Sequence, residues 1–351
     1  MIMAGGTGGH VFPALAVADY LRGRGWRVIW LGAKNGMEAD LVPRHGYEMA
    51  WVSFAGVRGK GLSRLAFLPL KLLIAFSQSA REIRRYRPDV VLGMGGYVAF
   101  PGGMMASLLN RPLVIHEQNS VAGLANRVLA QVADVILTAF PGVLAKSALS
   151  GNPVRADIAA LPAPEQRYRG RTGPLRLLVV GGSLGAQRLN ETVPEALALL
   201  PPDMRPRVTH QAGAKHGEAL KQNYANARVE GELVTFIDDM AARYAQCDLV
   251  ICRAGALTVA ELAAAGIPSI LVPFPHAVDD HQTVNARYLS QSGAAILLPQ
   301  SELTPEKLAD TLSGLDREKL LRMALAARAL GKPEATAKVA EACIKLVRSE
   351  A

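Results

Sequence analysis

The stretch that decides the fold is MIMAGGTGGHVF, at Met1–Phe12, where a short apolar run leads into four glycines around one threonine and then into His10. Glycines let the backbone turn sharply and approach a ligand with no Cβ in the way. The N–H groups at the start of a following helix attract negatively charged oxygens. The stretch therefore predicts an anion-binding turn, with a tight strand-to-helix turn capped by His10 as the alternative.

The same pattern returns in the second half, where an apolar run is followed by GGSLGA at Gly181–Ala186. Strand-like runs alternate with helical lengths along the whole chain, which predicts an α/β fold with a doubly wound parallel sheet in each half. The predicted strands of the first half after the opening run are Trp26–Gly32, Tyr47–Phe54, Asp89–Tyr97, Pro112–Asn119 and Ala133–Phe140. Those of the second half are Leu175–Val180, Arg207–Gly213, Leu233–Asp238, Asp248–Arg253, Pro268–Phe274 and Ala294–Pro299.

Length and composition agree with two domains. The chain has 351 residues, of which 50% are hydrophobic and 5% aromatic, a balance more typical of helices on parallel sheets than of a β-sandwich. Its three cysteines form no CxxC pair, so neither a disulfide framework nor a zinc site is indicated and a reducing cytoplasm is expected. The amino terminus enters a strand directly, without the pattern of a signal peptide.

The domain boundaries follow from one passage rich in Pro, Arg and Gly. LPAPEQRYRGRTGP, at Leu161–Pro174, has the composition of an interdomain linker. We expect a first domain at residues 1–156 and a second at 157–334, with a last helix at about 335–351 crossing back to the first. Two such sheets are expected to face each other across a cleft.

Much of the net charge of +9 lies in one segment, Lys60–Arg87, which holds seven basic residues and one acidic residue. Its apolar part, Leu65–Phe76, is too short and too interrupted to span a bilayer. Apolar residues flanked by Lys and Arg are typical of an element that lies on anionic lipid, and an ordinary domain helix is the alternative. The candidate membrane residues are Leu65, Phe67, Leu68, Lys71, Leu72, Phe76, Arg81 and Arg84. The basic residues are not interleaved with aromatic ones, which argues against nucleic acid as a partner.

Two glycine turns of the first half are expected to meet at the carboxyl edge of its sheet, where such sheets bind ligands. The second is GMGGY, so Gly9, His10, Gly95, Gly96 and Tyr97 are the candidates for an acceptor diphosphate. Neither turn has the G-x-G-x-x-G pattern of a nicotinamide site, and no P-loop is present. His10 is the candidate general base by residue type.

The richest stretch of the second half is Cys252–Ala286. Arg253 and the following helix start are suited to a diphosphate. Thr258 and Glu261 match a capping box, and the alternative is that the Glu261 carboxylate accepts the hydroxyls of a ribose. The loop with His276, Asp279, Asp280 and His281 lacks a regular ligand spacing, so no metal and no cofactor are expected.

Taken together, several motifs in order along nearly the whole chain resemble the MurG family of peptidoglycan N-acetylglucosaminyltransferases. They are GGTGGHVFPALAVA, MEADLVPRHG, RGKG, PDVVLGMGGY, HEQN, GNPVR, VVGGSLGA, FIDDMAARYA, CRAGALTVAELAAAGIP and DDHQTVNA. The resemblance implies a GT-B fold and metal-independent transfer, with inversion, from UDP-N-acetylglucosamine to lipid I. Lipid I is the undecaprenyl-diphosphate-linked muramoyl pentapeptide, and its glycosylation yields lipid II. It also implies a peripheral position on the cytoplasmic face of the bacterial inner membrane.

The resemblance also implies the roles of individual residues. Thr7, Gly8, Gly9 and Asn119 would face the sugar and the acceptor, and Arg155 and Ser183 would lie near the donor. Ile237 would meet uracil through its backbone, and Gln282 would hold sugar hydroxyls. The run Ala256, Leu257, Thr258, Val259, Ala260 and Glu261 would hold N-acetylglucosamine, diphosphate and ribose, with Arg253 beside it. Two rival functions are a UDP-sugar epimerase or related glycolipid glycosyltransferase, and a UDP-sugar sensor without catalytic activity.

Overall fold

The computed structural model describes residues 1–54, 67–182 and 185–350. The chain divides into two units, the first formed by Met1–Arg155 with Lys332–Ala351 and the second by Ala156–Gly331. Each unit contains one parallel sheet flanked by helices.

The first unit is built on a seven-stranded sheet in the order β3-β2-β1-β4-β5-β6-β7. Its strands are β1 (Ile2–Met3), β2 (Ile29–Gly32), β3 (Glu48–Trp51), β4 (Val91–Gly93), β5 (Leu113–Glu117), β6 (Val135–Thr138) and β7 (Ala148–Leu149). Its described helices are α1 (Gly8–Arg22), α2 (Glu38–Arg44), α3 (Leu68–Tyr86), α4 (Ala99–Leu108) and α5 (Leu124–Leu129).

The second unit is built on a six-stranded sheet in the order β10-β9-β8-β11-β12-β13. Its strands are β8 (Arg176–Val180), β9 (Arg207–Gln211), β10 (Glu232–Val234), β11 (Leu249–Cys252), β12 (Ser269–Leu271) and β13 (Ala295–Leu297). Its helices are α6 (Ala156–Ala159), α7 (Pro164–Tyr168), α8 (Gln187–Leu199), α9 (Gly217–Ala227), α10 (Met240–Gln246), α11 (Ala256–Ala265), α12 (His281–Ser290), α13 (Pro305–Ser313) and α14 (Arg317–Leu330). The last helix of the chain, α15 (Ala335–Glu350), belongs to the first unit.

The predicted α/β class with a parallel sheet in each half is confirmed. Every predicted run overlaps a strand, because runs such as Leu249–Cys252 are continuously apolar and lie buried under helices on both faces. The strand β7 was not predicted, since Ala148 and Leu149 are both exposed and have no apolar periodicity.

The direction of strand order reverses once in each sheet. In the first sheet, β1 lies between β2 and β4, and in the second β8 lies between β9 and β11. At such a point the loops that follow the two adjacent strands run to opposite faces of the sheet, and this opens a crevice at the carboxyl ends of the strands. All the glycine turns singled out in the sequence follow β1, β4, β8 or β11, the strands that flank these crevices.

Helix α15 packs on the first unit although it ends the chain. Val339, Ala340 and Cys343 are buried in the same apolar cluster as Val11 and Leu15 of α1. The Thr336 hydroxyl donates to the carbonyl oxygen of Val154 at 3.1 Å, which ties the start of the helix to the end of the first unit's main segment.

The interpretation of Leu161–Pro174 as a linker is wrong. Arg167 is buried and its guanidinium donates to the carbonyl oxygens of Ala265 and Gly266, both at 2.6 Å. The Tyr168 hydroxyl donates to the Asp248 carbonyl oxygen at 2.6 Å, and Arg171 pairs with the Asp248 carboxylate at 2.5 Å. The arginines that gave the passage its linker composition therefore anchor it to the second unit.

Candidate functional site

The carboxyl edge of the first sheet is formed by two glycine turns in contact. Gly95 and Gly96, after β4, have φ values of 88° and 81°, which L side chains rarely adopt. A Cβ on Gly96 would also collide with the backbone of Gly5 in the turn after β1. Only glycine allows the two turns to approach so closely, so GGTGGH and GMGGY form one surface.

Helix α1 starts at this surface without a side-chain cap. Thr7 is its N-cap residue but makes no side-chain capping bond, and the first turn carries no acidic residue. The N–H groups of Gly8 and Gly9 therefore lie at the positive end of the helix dipole, whereas the His10 N–H donates to the Thr7 carbonyl oxygen at 3.0 Å. Tyr97 lies beside Gly6, and burial together with the negative charge of Glu38 raises the pKa of the Tyr97 hydroxyl.

His10 contacts the polar end of β5. Its Nδ1 atom lies 3.1 Å from Oε1 of Gln118, whose amide nitrogen donates to the carbonyl oxygen of Met94 at 2.8 Å. The motif HEQN was recognised in the sequence, but only Asn119 was assigned a role there. The contact of Gln118 with His10 joins residues 108 positions apart, so no local pattern could have indicated it.

The other side chains of this strand end support loops. The buried Glu117 carboxylate accepts hydrogen bonds from the backbone N–H and the amide of Asn119, from Gly123 N–H and from the Asn126 amide. His116 shares a hydrogen bond of 2.9 Å with the carbonyl oxygen of Gly151, and burial lowers its pKa to about 4. Asn119 is therefore oriented by a carboxylate that the sequence analysis did not single out.

Glu38 is a second buried carboxylate that the sequence analysis missed. It is 0% exposed and accepts hydrogen bonds from Gly6 N–H at 2.9 Å and Ala33 N–H at 3.1 Å. Gly5, Gly32 and Gly36 lie so close to it that a Cβ on any of them would collide with its side chain. The sequence feature that could have indicated this buried carboxylate is the presence of three glycines near the acidic residue of the MEAD motif.

A cavity of about 720 Å³ lies at the crevice of the second sheet. The residues that line it come from the ends of β8, β11 and β12, from α8, α11 and α12, and from the turn after β13. They are Val180, Gly181, Gly182, Gly185, Ala186, Gln187, Arg188, Glu191, Cys252, Arg253, Gly255, Thr258, Phe274, Gln282 and Gln300. Of the predicted donor residues, Arg253, Thr258 and Gln282 are in this lining.

The half-buried Arg253 guanidinium is fixed in the wall of the cavity. It donates to the carbonyl oxygens of Val272 and Pro273, both at 3.2 Å, and to Oε1 of Gln300 at 2.6 Å. Burial lowers its pKa from the usual high value. Within the described part of the chain no carboxylate pairs with Arg253, so its positive charge is available to an anion in the cavity.

Two helices begin at the same cavity without side-chain caps. Helix α11 has Gly255 as its N-cap residue and α8 has Ala186, and neither first turn contains an acidic residue. The capping-box interpretation of Thr258 and Glu261 is therefore wrong, because Thr258 lies inside the first turn of the helix. Glu261 lies one turn further along and is 8% exposed.

The remaining donor candidates lie around this crevice or outside it. Gln282 accepts a hydrogen bond from Phe274 N–H at 2.9 Å, which holds its side chain across the loop after β12. Ile237 is buried in the loop after β10, and Arg155 ends the main segment of the first unit; neither lines the cavity. Ser183 lies outside the described residues.

The described part of the basic segment is a helix with two different faces. Leu68 and Leu72 of α3 pack against the core of the first unit, and the Phe76 ring contacts the Phe100 ring. The exposed apolar residues are Phe67, Leu70, Leu73 and Ile74, with exposed fractions of 61%, 57%, 65% and 42%. Lys71, Arg81 and Arg84 are also exposed, whereas Leu65 lies outside the described residues. Leu68, Leu72 and Phe76 are half-buried, so the exposed residues are the better candidates on this helix, and a membrane contact of these three stays a prediction.

The described residues contain neither a membrane-spanning helix nor a metal site. No described helix combines the length and apolar character needed to cross a membrane. Residues 1–54, 67–182 and 185–350 contain no group of three His, Cys, Asp or Glu side chains arranged for a metal ion.

Comparisons with known proteins agree in both halves of the chain. Residues 1–138 match the glycosyltransferase family 28 N-terminal domain, and residues 176–341 match the glycosyltransferase family 28 C-terminal domain. Two similar curated proteins, from Nitrosospira multiformis and Aromatoleum aromaticum, are 63% and 66% identical to this chain. The matches cover 99% of this chain and 98% and 97% of theirs. Both bear the name UDP-N-acetylglucosamine–N-acetylmuramyl-(pentapeptide) pyrophosphoryl-undecaprenol N-acetylglucosamine transferase.

One solved structure is similar over almost its full length. The crystal structure of Acinetobacter baumannii MurG superposes with a TM-score of 0.86 at 42% identity, covering 98% of this chain and 99% of that one.

Proposed function

The chain belongs to the MurG branch of glycosyltransferase family 28, and we propose that it transfers N-acetylglucosamine from UDP-N-acetylglucosamine to lipid I. It is a UDP-N-acetylglucosamine-dependent glycosyltransferase of peptidoglycan synthesis, and its product is lipid II. The observation that carries this proposal is the identity of 63% and 66% to proteins of that name, which extends through both halves over 99% of this chain.

The donor diphosphate binds in the cavity of the second unit. The uncapped start of α11 supplies backbone N–H groups, and Arg253 supplies a positive charge that no carboxylate of the described residues pairs with. These groups stabilise the negative charge that develops on departing UDP, without a metal ion. Glu261, one turn inside α11, accepts the ribose hydroxyls, while Gln282 holds hydroxyls of the donor sugar.

The lipid-linked acceptor binds at the glycine surface of the first unit. Its diphosphate meets the uncapped start of α1 and the turn at Gly95 and Gly96. The close packing of the two turns leaves backbone rather than side chains at the surface, which lets phosphate oxygens reach the N–H groups.

The reaction is a direct displacement with inversion. The 4-hydroxyl oxygen of the muramoyl sugar bonds to the anomeric carbon of N-acetylglucosamine as the bond from that carbon to the β-phosphate oxygen breaks. The electron pair of the broken bond leaves with UDP, and the hydroxyl proton passes to the imidazole of His10. Histidine suits this role because its pKa lies close to neutral pH.

A transfer assay tests the proposed function. We expect radiolabelled UDP-N-acetylglucosamine and a short-chain lipid I analogue to give a labelled disaccharide lipid, together with free UDP. Interconversion of the UDP-sugar without transfer would indicate an epimerase instead. Binding of the donor without any turnover would indicate a sensor.

The acceptor carries a polyprenyl tail, so the enzyme must reach the cytoplasmic face of the inner membrane as a peripheral protein. Among the residues that the structure describes, the membrane-docking surface lies on α3 and just before it. It consists of the exposed apolar residues Phe67, Leu70, Leu73 and Ile74 and the basic residues Lys71, Arg81 and Arg84. Each Lys or Arg near an anionic membrane contributes about 1 kcal/mol, so several basic residues suffice for reversible attachment.

The membrane contact is tested by sedimentation with anionic vesicles. Replacing Lys71, Arg81 and Arg84 with Glu should abolish binding and leave activity on a water-soluble acceptor nearly unchanged. A control triple variant with Glu at Lys307, Lys319 and Arg322 of the second unit makes the same change in net charge and should still sediment. Undiminished vesicle binding by the α3 variant would exclude this surface.

A further inference from the structure

We propose that Gln118 is a positioning residue that fixes His10 in the tautomer protonated at Nδ1, so that Nε2 carries the lone pair that accepts the acceptor proton. The functional meaning of this tautomer rests on the proposed transfer reaction. The tautomer itself follows from contacts within the first unit.

The orientation of the Gln118 amide is determined by Met94. The Gln118 Nε2 atom lies 2.8 Å from the carbonyl oxygen of Met94, and a carbonyl oxygen can only accept a hydrogen bond. If the amide were flipped, two oxygens would face each other at that distance. The NH₂ group must therefore point to Met94, and the oxygen Oε1 must point to His10.

The orientation of Gln118 in turn selects the proton position on His10. Nδ1 of His10 lies 3.1 Å from Gln118 Oε1, which can only accept. A neutral imidazole has one N–H and one lone pair, so the proton must lie on Nδ1 and the lone pair on Nε2. An imidazole protonated at Nε2 would place the Nδ1 lone pair against the Gln118 oxygen.

The buried Gln118 side chain has no room to turn away, and Gly95 packs against the half-buried His10 ring. Gln118 is 1% exposed, and its backbone oxygen accepts a hydrogen bond from the Asn152 amide at 3.2 Å. Gly95 lies beside the same contact, because a Cβ on it would be 2.5 Å from Nδ1 of His10 and 3.1 Å from Oε1 of Gln118, so the bare Cα of Gly95 packs directly against the ring. The buried Gln118 and the close approach of Gly95 thus hold the Nδ1 atom toward Gln118.

The partner is neutral, which distinguishes it from the carboxylate that orients histidine in many catalytic sites. An amide oxygen selects the tautomer without adding a negative charge next to the imidazole. A carboxylate at the same position would keep the tautomer and would also favour the protonated, catalytically inactive form of the base.

The tautomer can be measured directly by ¹⁵N NMR of histidine-labelled protein, with His10 assigned through a His10→Asn variant. We expect wild-type His10 to show a protonated Nδ1 and an unprotonated Nε2. In Gln118→Met, which has a similar volume but no amide, we expect a mixture of both tautomers. The turnover number with a soluble acceptor should fall by about tenfold to a hundredfold, while the donor KM changes little.

Two further variants complete the test. Gln211→Met removes an equally buried amide, which donates to the Gly182 carbonyl oxygen in the second unit, and should leave the His10 signals unchanged. Gln118→Glu keeps an acceptor oxygen toward Nδ1, while its second oxygen faces the Met94 carbonyl oxygen and must be protonated to donate to it as the amide does; in that form it should restore the tautomer that Gln118→Met loses. A wild-type His10 protonated at Nε2, or an unchanged tautomer in Gln118→Met, would overturn the proposal. Lack of transfer by the wild-type enzyme would instead refute the proposed function and leave the tautomer measurement intact.

Discussion

Replacing Glu38 with Gln should destabilise the first unit and disturb the glycine surface. The carboxylate of this 0%-exposed residue accepts two backbone hydrogen bonds, from Gly6 N–H and Ala33 N–H. An amide can accept only one of them, and its NH₂ group would oppose the other donor. An unsatisfied buried donor costs about 1–3 kcal/mol, and the remaining bond loses its charge assistance. We therefore expect a loss of about 2–4 kcal/mol in the free energy of unfolding.

Calorimetry can measure this loss in each unit if the two units unfold separately. For a unit of this size, each kcal/mol shifts Tm by about 2–4 °C, so the first unit's transition should fall by roughly 4–16 °C. Asp40→Asn on the same helix is the control, because Asp40 forms an exposed pair with Arg44 that contributes about 1 kcal/mol or less. The acceptor KM should rise in Glu38→Gln while the donor KM does not. Wild-type values for both Tm and acceptor KM would refute the role assigned to Glu38.

Three further outcomes are expected. Glu261→Gln should raise the donor KM by about tenfold or more, which corresponds to about 1.4 kcal/mol; a fall in Tm with an unchanged KM would instead indicate a structural role. Asp248→Asn should lower the second unit's Tm, because the buried Asp248 carboxylate is the ionic partner of the partly buried Arg171 and Arg317, and breaking a buried ion pair costs up to about 3–5 kcal/mol; an unchanged transition would contradict this. Burial lowers the pKa of His210 to about 3, so the unfolded chain binds the proton first as the pH falls below about 6.5. The second unit should therefore lose stability on acidification by up to about 1.4 kcal/mol per pH unit, a slope that His210→Gln should reduce in pH-dependent calorimetry.

The fold could be predicted because its determinants are local. Strands such as Arg176–Val180 are apolar runs that end in glycine, and this pattern repeats at helical intervals along the chain. The site could be predicted in part for the same reason, since glycine turns after strands mark the crevices of parallel sheets.

What could not be predicted depends on partners distant in sequence. Glu38 and Gln118 act on Gly6 and His10 across 32 and 108 positions, and no periodicity marks such a contact. Composition was misleading in Leu161–Pro174, because composition does not distinguish the buried Arg167, which donates to backbone carbonyl oxygens, from an arginine exposed to solvent. In α3, composition indicated an apolar helix beside basic residues, but tertiary packing decided which leucines face inward.

The central claim is that the first unit supplies the base while the second unit binds the donor. The most direct test is to measure the turnover number of His10→Ala together with its affinity for UDP-N-acetylglucosamine by calorimetry. The account predicts that the turnover number falls by about a hundredfold or more, while the donor affinity stays at its wild-type value. A near-normal turnover number across neutral pH would contradict it.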